Sequence, residues 1–358
     1  MNIKKLLLLL SAILVVMLAA SVLLGLGTNP LAESLKTRGE DVSMAVTGDV
    51  MFARNMAGVL SLDSSPFEGV SNVTSSVDLL LINFENAATT SENAVKGDIP
   101  LKCDPKYVVL AKANNNTIAA LANNHAFDYG INGMRDTVGY LNGTGITVIG
   151  AGDNEDAAHA AVTKNIKGRS ITVLNYMDAN NFAEYDYDTI PYANGTHAGY
   201  SAYDSKDAAE EISKYRDTSD LIVAYIHFGN EYSTSPNADQ IRIAHELIDN
   251  GADVVIGAHP HVPQGIEMYN GKPIFYSLGN FIFDMSNEEC QVAYFVQIDL
   301  VNDTGMCTVY PVRISNFLPQ FMNAKEGTSL LSGLTPKASE LEISNGIGKL
   351  NFTLDNDR

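Results

Sequence analysis

The sequence is short of positive charge. Against 42 Asp+Glu it sets only 23 Lys+Arg, a formal net charge of −19 over 358 residues, and that balance excludes nucleic acid or an anionic membrane surface gripped through a basic patch. Cysteine is scarce too. The three present, Cys103, Cys290 and Cys307, are odd in number, so at least one thiol is unpaired unless it bridges to another chain. Register speaks against a Cys290–Cys307 bridge. If 292–301 and 306–313 form a hairpin turning at Asn302-Asp303-Thr304-Gly305, the residue opposite Cys307 is near position 300, about 10 residues from Cys290. No cysteine lies near the end of the N-terminal apolar run, which argues against a lipid-modified N-terminus. No internal repeat is visible.

That apolar run is what the sequence has in place of a basic surface. Lys4 and Lys5 precede an almost uninterrupted apolar stretch from Leu6 to Leu26. A helix over it would cross a bilayer core of about 30 Å. Positive charge ahead of the run keeps the N-terminus cytoplasmic and puts the rest of the chain outside, a single-pass protein of the cell membrane with an extracytoplasmic domain. Ala19-Ala20-Ser21 keeps a cleaved signal peptide open as the competing reading for residues 1–27. The run is longer than a usual signal core, which favours the anchor. Residues 28–41 are polar, with Gly, Pro and Asn, and read as a tether.

From Val42 onward, β-favouring apolar segments alternate with helix-like stretches, the pattern of an α/β fold with a parallel or mixed sheet. Strands are expected at 43–47, 78–83, 117–121, 146–149, 171–176, 220–226 and 253–257. Asp104-Pro105 offers a cap and first-turn proline for a helix to about Asn114. Residues 238–250 place Ile241, Ala244, Leu247 and Ile248 on one helical face, with Gly251 as the C-terminal stop. After Gly265 the texture turns antiparallel, with a hairpin at Tyr269-Asn270-Gly271-Lys272. The main domain is expected over 42–315, and the polar, Gly- and Ser-rich stretch 316–358 as a peripheral extension.

Five of the expected strands run into residues that bind metal ions: Asp49, Glu85, Asn124 with His125, His227, and His259 with His261. In open α/β sheets, side chains from separate strands converge beyond the carboxyl ends, so separate segments can make one site. Carboxylate, amide oxygen and imidazole together suit Zn, Mn or Fe rather than an all-oxygen calcium cage. His259-Pro260-His261 would put two imidazoles on one side of an extended segment, with Pro260 favouring that geometry at His259. Taken singly, each feature has an ordinary structural reading: Gly48-Asp49 as a turn, Asn123-Asn124-His125 as a capping cluster, His227 as a core histidine. Their joint occurrence at five successive strand ends favours a metal site. His159, His197 and His245 lack such surroundings.

Six blocks then carry a resemblance. Thr47-Gly48-Asp49-Val50-Met51, Asn83-Phe84-Glu85-Asn86, Ala122-Asn123-Asn124-His125, His227-Phe228-Gly229-Asn230-Glu231-Tyr232, Gly257-Ala258-His259-Pro260-His261 and Tyr276-Ser277-Leu278-Gly279-Asn280-Phe281 resemble, in order, the signatures of the poly-gamma-glutamate capsule synthesis (CapA) family. That family is similar in fold to calcineurin-like metallophosphatases. The resemblance implies a metallophosphatase-like sandwich of mixed β-sheets flanked by helices. It also implies one or two divalent ions held by Asp49, Glu85, Asn124, His227, His259 and His261, with His125 as proton donor. Met51 stands where metallophosphatases usually carry a histidine, and Asn83-Phe84-Glu85 replaces their Gly-Asp motif. A thioether is a poor ligand for a hard ion, so one metal position is expected to be weak or altered.

Three functions follow as expectations. The first is an accessory role in synthesis or export of the anionic polymer poly-gamma-glutamate, alongside integral membrane partners. The second is a free-standing metal-dependent hydrolase of a phosphoester in the cell envelope. The third is a binding module without turnover. In a catalytic reading, Glu231 would orient His227 or contact substrate, and Tyr232 and Asn280 would line the rim. A turn locked by Gly279 is an equal reading of Asn280's segment.

Overall fold

The computed structural model describes residues 40–182 and 192–354. The expected anchor and all but the end of its tether lie outside the described residues. Among those residues, no helix is long and apolar enough to cross a membrane.

In chain order the main strands are β1 (Val42–Val50), β2 (Leu79–Phe84), β3 (Thr117–Ala120), β4 (Thr147–Ile149), β5 (Val162–Ile166), β6 (Arg169–Met177), β7 (Leu221–His227), β8 (Val254–Ala258), β9 (Ile266–Tyr269), β10 (Lys272–Phe275), β11 (Asn280–Ile282), β12 (Val292–Val301), β13 (Thr304–Ser315), β14 (Leu318–Phe321), β15 (Glu342–Ser344) and β16 (Ile347–Thr353). The longer helices are α1 (Gly130–Gly143), α2 (Ser205–Arg216), α3 (Ala238–Asp249) and α4 (Ala324–Ser332). The larger sheet is ordered β15-β16-β13-β12-β1-β2-β3-β4, with β11 beside β1 and β14 beside β13. The smaller is ordered β9-β10-β8-β7-β6-β5. Each sheet has a run of parallel strands, β1 to β4 in one and β6, β7, β8 and β10 in the other; the smaller sheet is antiparallel at both edges, the larger only on the β12 side, because its other edge strand, β4, is parallel to β3.

Alternation along the strands explains the layering. On β1, Met44 and Val46 pack with Leu221, Val223 and Tyr225 of β7, filling the space between the two sheets. Ala45, and Leu80 and Ile82 of β2, face the other way and pack with Met134 and Leu141 of α1. On β7, Ile222, Ala224 and Ile226 pack against Ile212 of α2 and Ile243, Ala244 and Leu247 of α3. Strands with both faces apolar can only be buried on both faces. The result is a helix–sheet–sheet–helix sandwich. α3 begins with a capping box between Asn237 and Gln240, which satisfies two of the N–H groups left unbonded at a helix start.

Three expectations differ from what is seen. Asp104 does cap a helix, accepting from Lys106 N, but the helix is 3-10 and stops at Ala111. The segment 316–354 is not a loose appendage: β14, β15 and β16 extend the larger sheet, and Leu331 of α4 with Leu350 and Phe352 of β16 enters the core between the sheets. β16 alternates buried and exposed residues, so its apolar residues are thinly spread among polar ones. The loop joining β12 and β13 is two residues shorter than expected, Asn302-Asp303 alone, and sets Cys307 opposite Ile298. All three cysteines are buried and free.

Candidate functional site

The carboxyl ends of the parallel strands gather the chemistry. A register shift between Val46 and Asp49 re-aims the end of β1, and pairing then sets Asp49 beside Asn83 of β2 and Asn280 of β11. Gly48 makes this approach possible. A Cβ there would lie 1.8 Å from the carbonyl oxygen of Gly279, the same oxygen that accepts from Asp49 N at 3.1 Å. From the smaller sheet, His227 closes β7, and His259 and His261 follow β8.

Asp49 and Glu85 are fully buried. Asn83 Nδ2 donates to Asp49 Oδ1 at 2.8 Å and lies 3.4 Å from Glu85 Oε2. The other carboxylate oxygens, Asp49 Oδ2 and Glu85 Oε1, are buried with no hydrogen-bond partner. Burial, and then the charge of Asp49, hold the Glu85 carboxyl well above its ordinary range. His261 is a candidate counter-charge. Its Nδ1 lies 3.3 Å from Asp49 Oδ2, too poorly aligned to hydrogen-bond, and its Nε2 lies 3.9 Å from Glu85 Oε1. Burial alone would depress His261; Asp49 reverses this and raises it. Asn280 Oδ1 accepts from His261 Nδ1 at 2.9 Å, which leaves Nε2 as the nitrogen able to ligate. Donor atoms of Asp49, Glu85 and His261 all lie within 4.8 Å of one another.

A second set of donors adjoins the first. His227 Nε2 is 3.0 Å from Asn124 Oδ1 and 3.0 Å from His259 Nδ1. Atoms at that separation are spaced like neighbouring ligands of one ion with bonds of ~2.1 Å. Burial first, then the other histidines, push His227 and His259 well below the ordinary imidazole range, which keeps both neutral. Neutral imidazole is the ligating form. A divalent cation therefore fits these residues: two orphaned carboxylate oxygens, an amide oxygen and neutral imidazoles converge, and a cation there would compensate the buried acids.

The His259-Pro260-His261 segment is not extended. His259 has φ +99° and His261 φ +59°, a conformation that costs a residue with a Cβ of order 1–3 kcal/mol and is found at sites that require it. Here it turns both rings inward, with Tyr232 N bonded to the Pro260 carbonyl at 2.8 Å.

His125 stands beside this centre. Its Nδ1 is 2.7 Å from Asp128 Oδ2, which fixes the ring and leaves Nε2 as the nitrogen able to pass a proton. Burial lowers its pKa even though Asp128 opposes the shift. Glu231 is exposed in the turn after β7, and its charge reaches Glu85 and His261. Tyr232 is 49% exposed, with its ring 6.3 Å from that of His261. Asn280 lies beneath the rim, fully buried. Met51 is buried in the core, its Sδ accepting from Ala53 N at 2.9 Å. His159 and His245 sit elsewhere, against Glu211 and Glu267.

Sequence reasoning gave Asn123 no role beyond a capping cluster, which it does form, and assigned no role in the site to Asn83, Asp128 or Asn175. Asn123 holds Asn83 Oδ1 at 2.9 Å and caps the backbone of His125 and Ala126. Asn175, within β6, accepts from Ala122 N and donates to the Tyr225 carbonyl, tying the two sheets behind the site. A signal existed for two of them: asparagine is depleted in strands, yet Asn83 and Asn175 sit inside apolar strand runs.

The family model described as "Bacterial capsule synthesis protein PGA_cap" matches residues 43–285. The PGA biosynthesis protein CapA of Bacillus subtilis (strain 168) is 32% identical over 330 residues, covering 90% of this chain and 85% of that protein. The capsule biosynthesis protein CapA of Bacillus anthracis is 30% identical over 304 residues, covering 82% and 72%. Among solved structures, TT1561 of Thermus thermophilus aligns at 10% identity and a TM-score of 0.40, covering 71% of this chain and 93% of that one, a likeness too weak to carry an argument. The matched span contains every one of the six converging donors, and the chain belongs to the bacterial capsule synthesis protein family PGA_cap.

Proposed function

We propose that the chain is a membrane-anchored, extracytoplasmic component of poly-gamma-glutamate capsule synthesis or export. It works through a divalent metal centre formed by Asp49, Glu85, Asn124, His227, His259 and His261. The observation that carries the metal centre is the pair of buried carboxylate oxygens, on Asp49 and Glu85, that have no partner. The polymer comes from the relatives, which are named for PGA and capsule biosynthesis, and the anchor from residues 1–27. Mixed oxygen and nitrogen donors suit Mn, Fe or Zn, as one or two ions. A divalent ion there would supply Lewis acidity toward an anionic oxygen of polymer or phosphoester. Of the chain's own groups, Asn280 and Asn83 orient ligands, Tyr232 and Glu231 face the substrate side, and His125 holds a proton beside the centre.

A second reading, a free-standing metal-dependent hydrolase of a cell-envelope phosphoester, is favoured by the His125–Asp128 pair, because a histidine oriented by a carboxylate is built for proton transfer. Complementation separates the two. In a polymer-producing strain lacking its own copy of the gene, the wild-type chain should restore poly-gamma-glutamate, and Asp49→Ala or His259→Ala should restore roughly a tenth or less, given losses of ~10–100-fold in metal affinity. Full output from both variants would refute the role of the centre; no restoration by a membrane-localised wild-type chain would favour the hydrolase.

A further inference from the structure

Two residues near the centre hold backbone conformations that side chains rarely adopt. Arg54, which follows β1 at the head of a 3-10 turn to Gly58, has φ +51°, and Tyr232, in the turn after β7, has φ +63°. Neither is glycine, so each conformation costs free energy, and strain of this kind gathers at ligand clamps. Both residues line one open cleft of about 390 Å³, within the size range of small-molecule sites.

The cleft adjoins the metal centre. The Tyr232 ring lies 6.3 Å from that of His261. The Phe283 ring is 4.9 Å from that of His261 and has the Arg54 guanidinium carbon over it, 5.4 Å from its centroid. Arg54 is thus one aromatic ring away from a histidine of the centre. Asp284 is what places it. That side chain is 1% exposed, its Oδ1 accepts from Arg54 Nη2, and its Oδ2 accepts from Asn55 N at 3.1 Å. The charge of Arg54 is therefore shared with an acid of the protein. What the residue offers a ligand is its planar fork of five N–H donors, held by that pair through Nη2 on a side chain still 33% exposed.

A guanidinium anchored by a buried acid and backed by an aromatic face is preorganised for a planar, bidentate acceptor, either carboxylate or phosphate. Beside it, the half-exposed ring of Tyr232 supplies apolar surface for methylene groups, which a bare phosphate lacks. Resting on the polymer reading above, we propose that this cleft is a subsite for a pendant carboxylate of the poly-gamma-glutamate chain. Arg54 grips the carboxylate and Tyr232 packs on the chain's methylene groups, while a neighbouring stretch of the same polymer lies at the metal centre.

The test uses the full chain purified with its metal and a γ-linked glutamate pentamer as probe, titrated by calorimetry, with inorganic phosphate alongside. Arg54→Lys keeps a charge for Asp284 and loses the fork. It should retain the metal content and melting temperature of the wild type and bind the pentamer ~10-fold more weakly. Arg54→Gly combined with Asp284→Asn removes the pair together, so no buried acid is left unpaired, and should lose ~10–100-fold, the usual worth of hydrogen bonds to a charged group. A pentamer with its carboxylates methyl-esterified should bind the wild type no better than it binds the double variant. Equal affinity of wild type and both variants for the acid pentamer overturns the inference and leaves the metal centre standing, as does a loss confined to phosphate. If Arg54→Lys does not fold, the double variant is read in its place; if both unfold or shed metal, Arg54 is a support of the fold and the inference fails. A metal-loaded wild type that binds no pentamer overturns the polymer reading, and the subsite with it.

Discussion

Glu85→Gln should make the metal-free protein more stable at neutral pH and at the same time abolish its hold on a divalent ion. The Glu85 carboxyl is held well above its ordinary value of 4.5, by burial and then by Asp49. A raised folded-state pKa means that the group's contribution is fully present below 4.5 and is lost as pH climbs toward the folded value. Glutamine removes that loss. In chelator-treated protein the variant should match wild type at pH below about 4.5 and exceed it by ~1–3 kcal/mol at neutral pH, the cost of a buried polar group without a partner. His227 and His259 carry the opposite dependence. Their folded-state pKa values are depressed from 6.5, so their contribution is present above that value and lost as pH falls. They are common to both proteins and cancel in the comparison. Urea unfolding across pH measures the difference; a variant less stable than wild type at neutral pH would contradict the view that Glu85 is strained until an ion arrives.

His125→Ala should cost function and nothing else. The residue contributes its ring to Asp128 and stands outside the two donor sets, so metal content and melting temperature should stay at wild-type values. Output of polymer, or hydrolysis of an activated phosphoester, should fall ~10²–10⁴-fold, the usual contribution of a positioned proton donor. A variant that sheds metal or unfolds would make His125 a ligand or a structural residue. Full output with metal and fold intact would favour a binding module, which has no leaving group to protonate.

Both predictions concern residues that were legible as a pattern before they were legible as a site. The strands could be read because each is a run of β-favouring apolar residues: 43–47 grew to Val42–Val50 and 220–226 shifted by one residue to Leu221–His227. Metal-binding residue types at the ends of those runs could be read for the same reason, since the end of an apolar run is where a strand leaves the core. The contacts that organise them could not. Asn83 reaches His227 across 144 residues of sequence and Asn175 reaches Ala122 across 53, and such distances close only once sheet register is fixed. The turn at His259-Pro260-His261 was misread as extended because a proline's local preference yields here to the inward pull on two buried imidazoles.

The most direct test of the metal centre is the metal content of the purified chain and of its Asp49→Ala and His259→Ala variants, by elemental analysis after gel filtration. One variant breaks each donor set. The wild type is expected to retain Mn, Fe or Zn and each variant to lose most of it, with affinity down ~10–100-fold or more. Equal metal in all three proteins, or none in a well-folded wild type supplied with these ions, would contradict the centre.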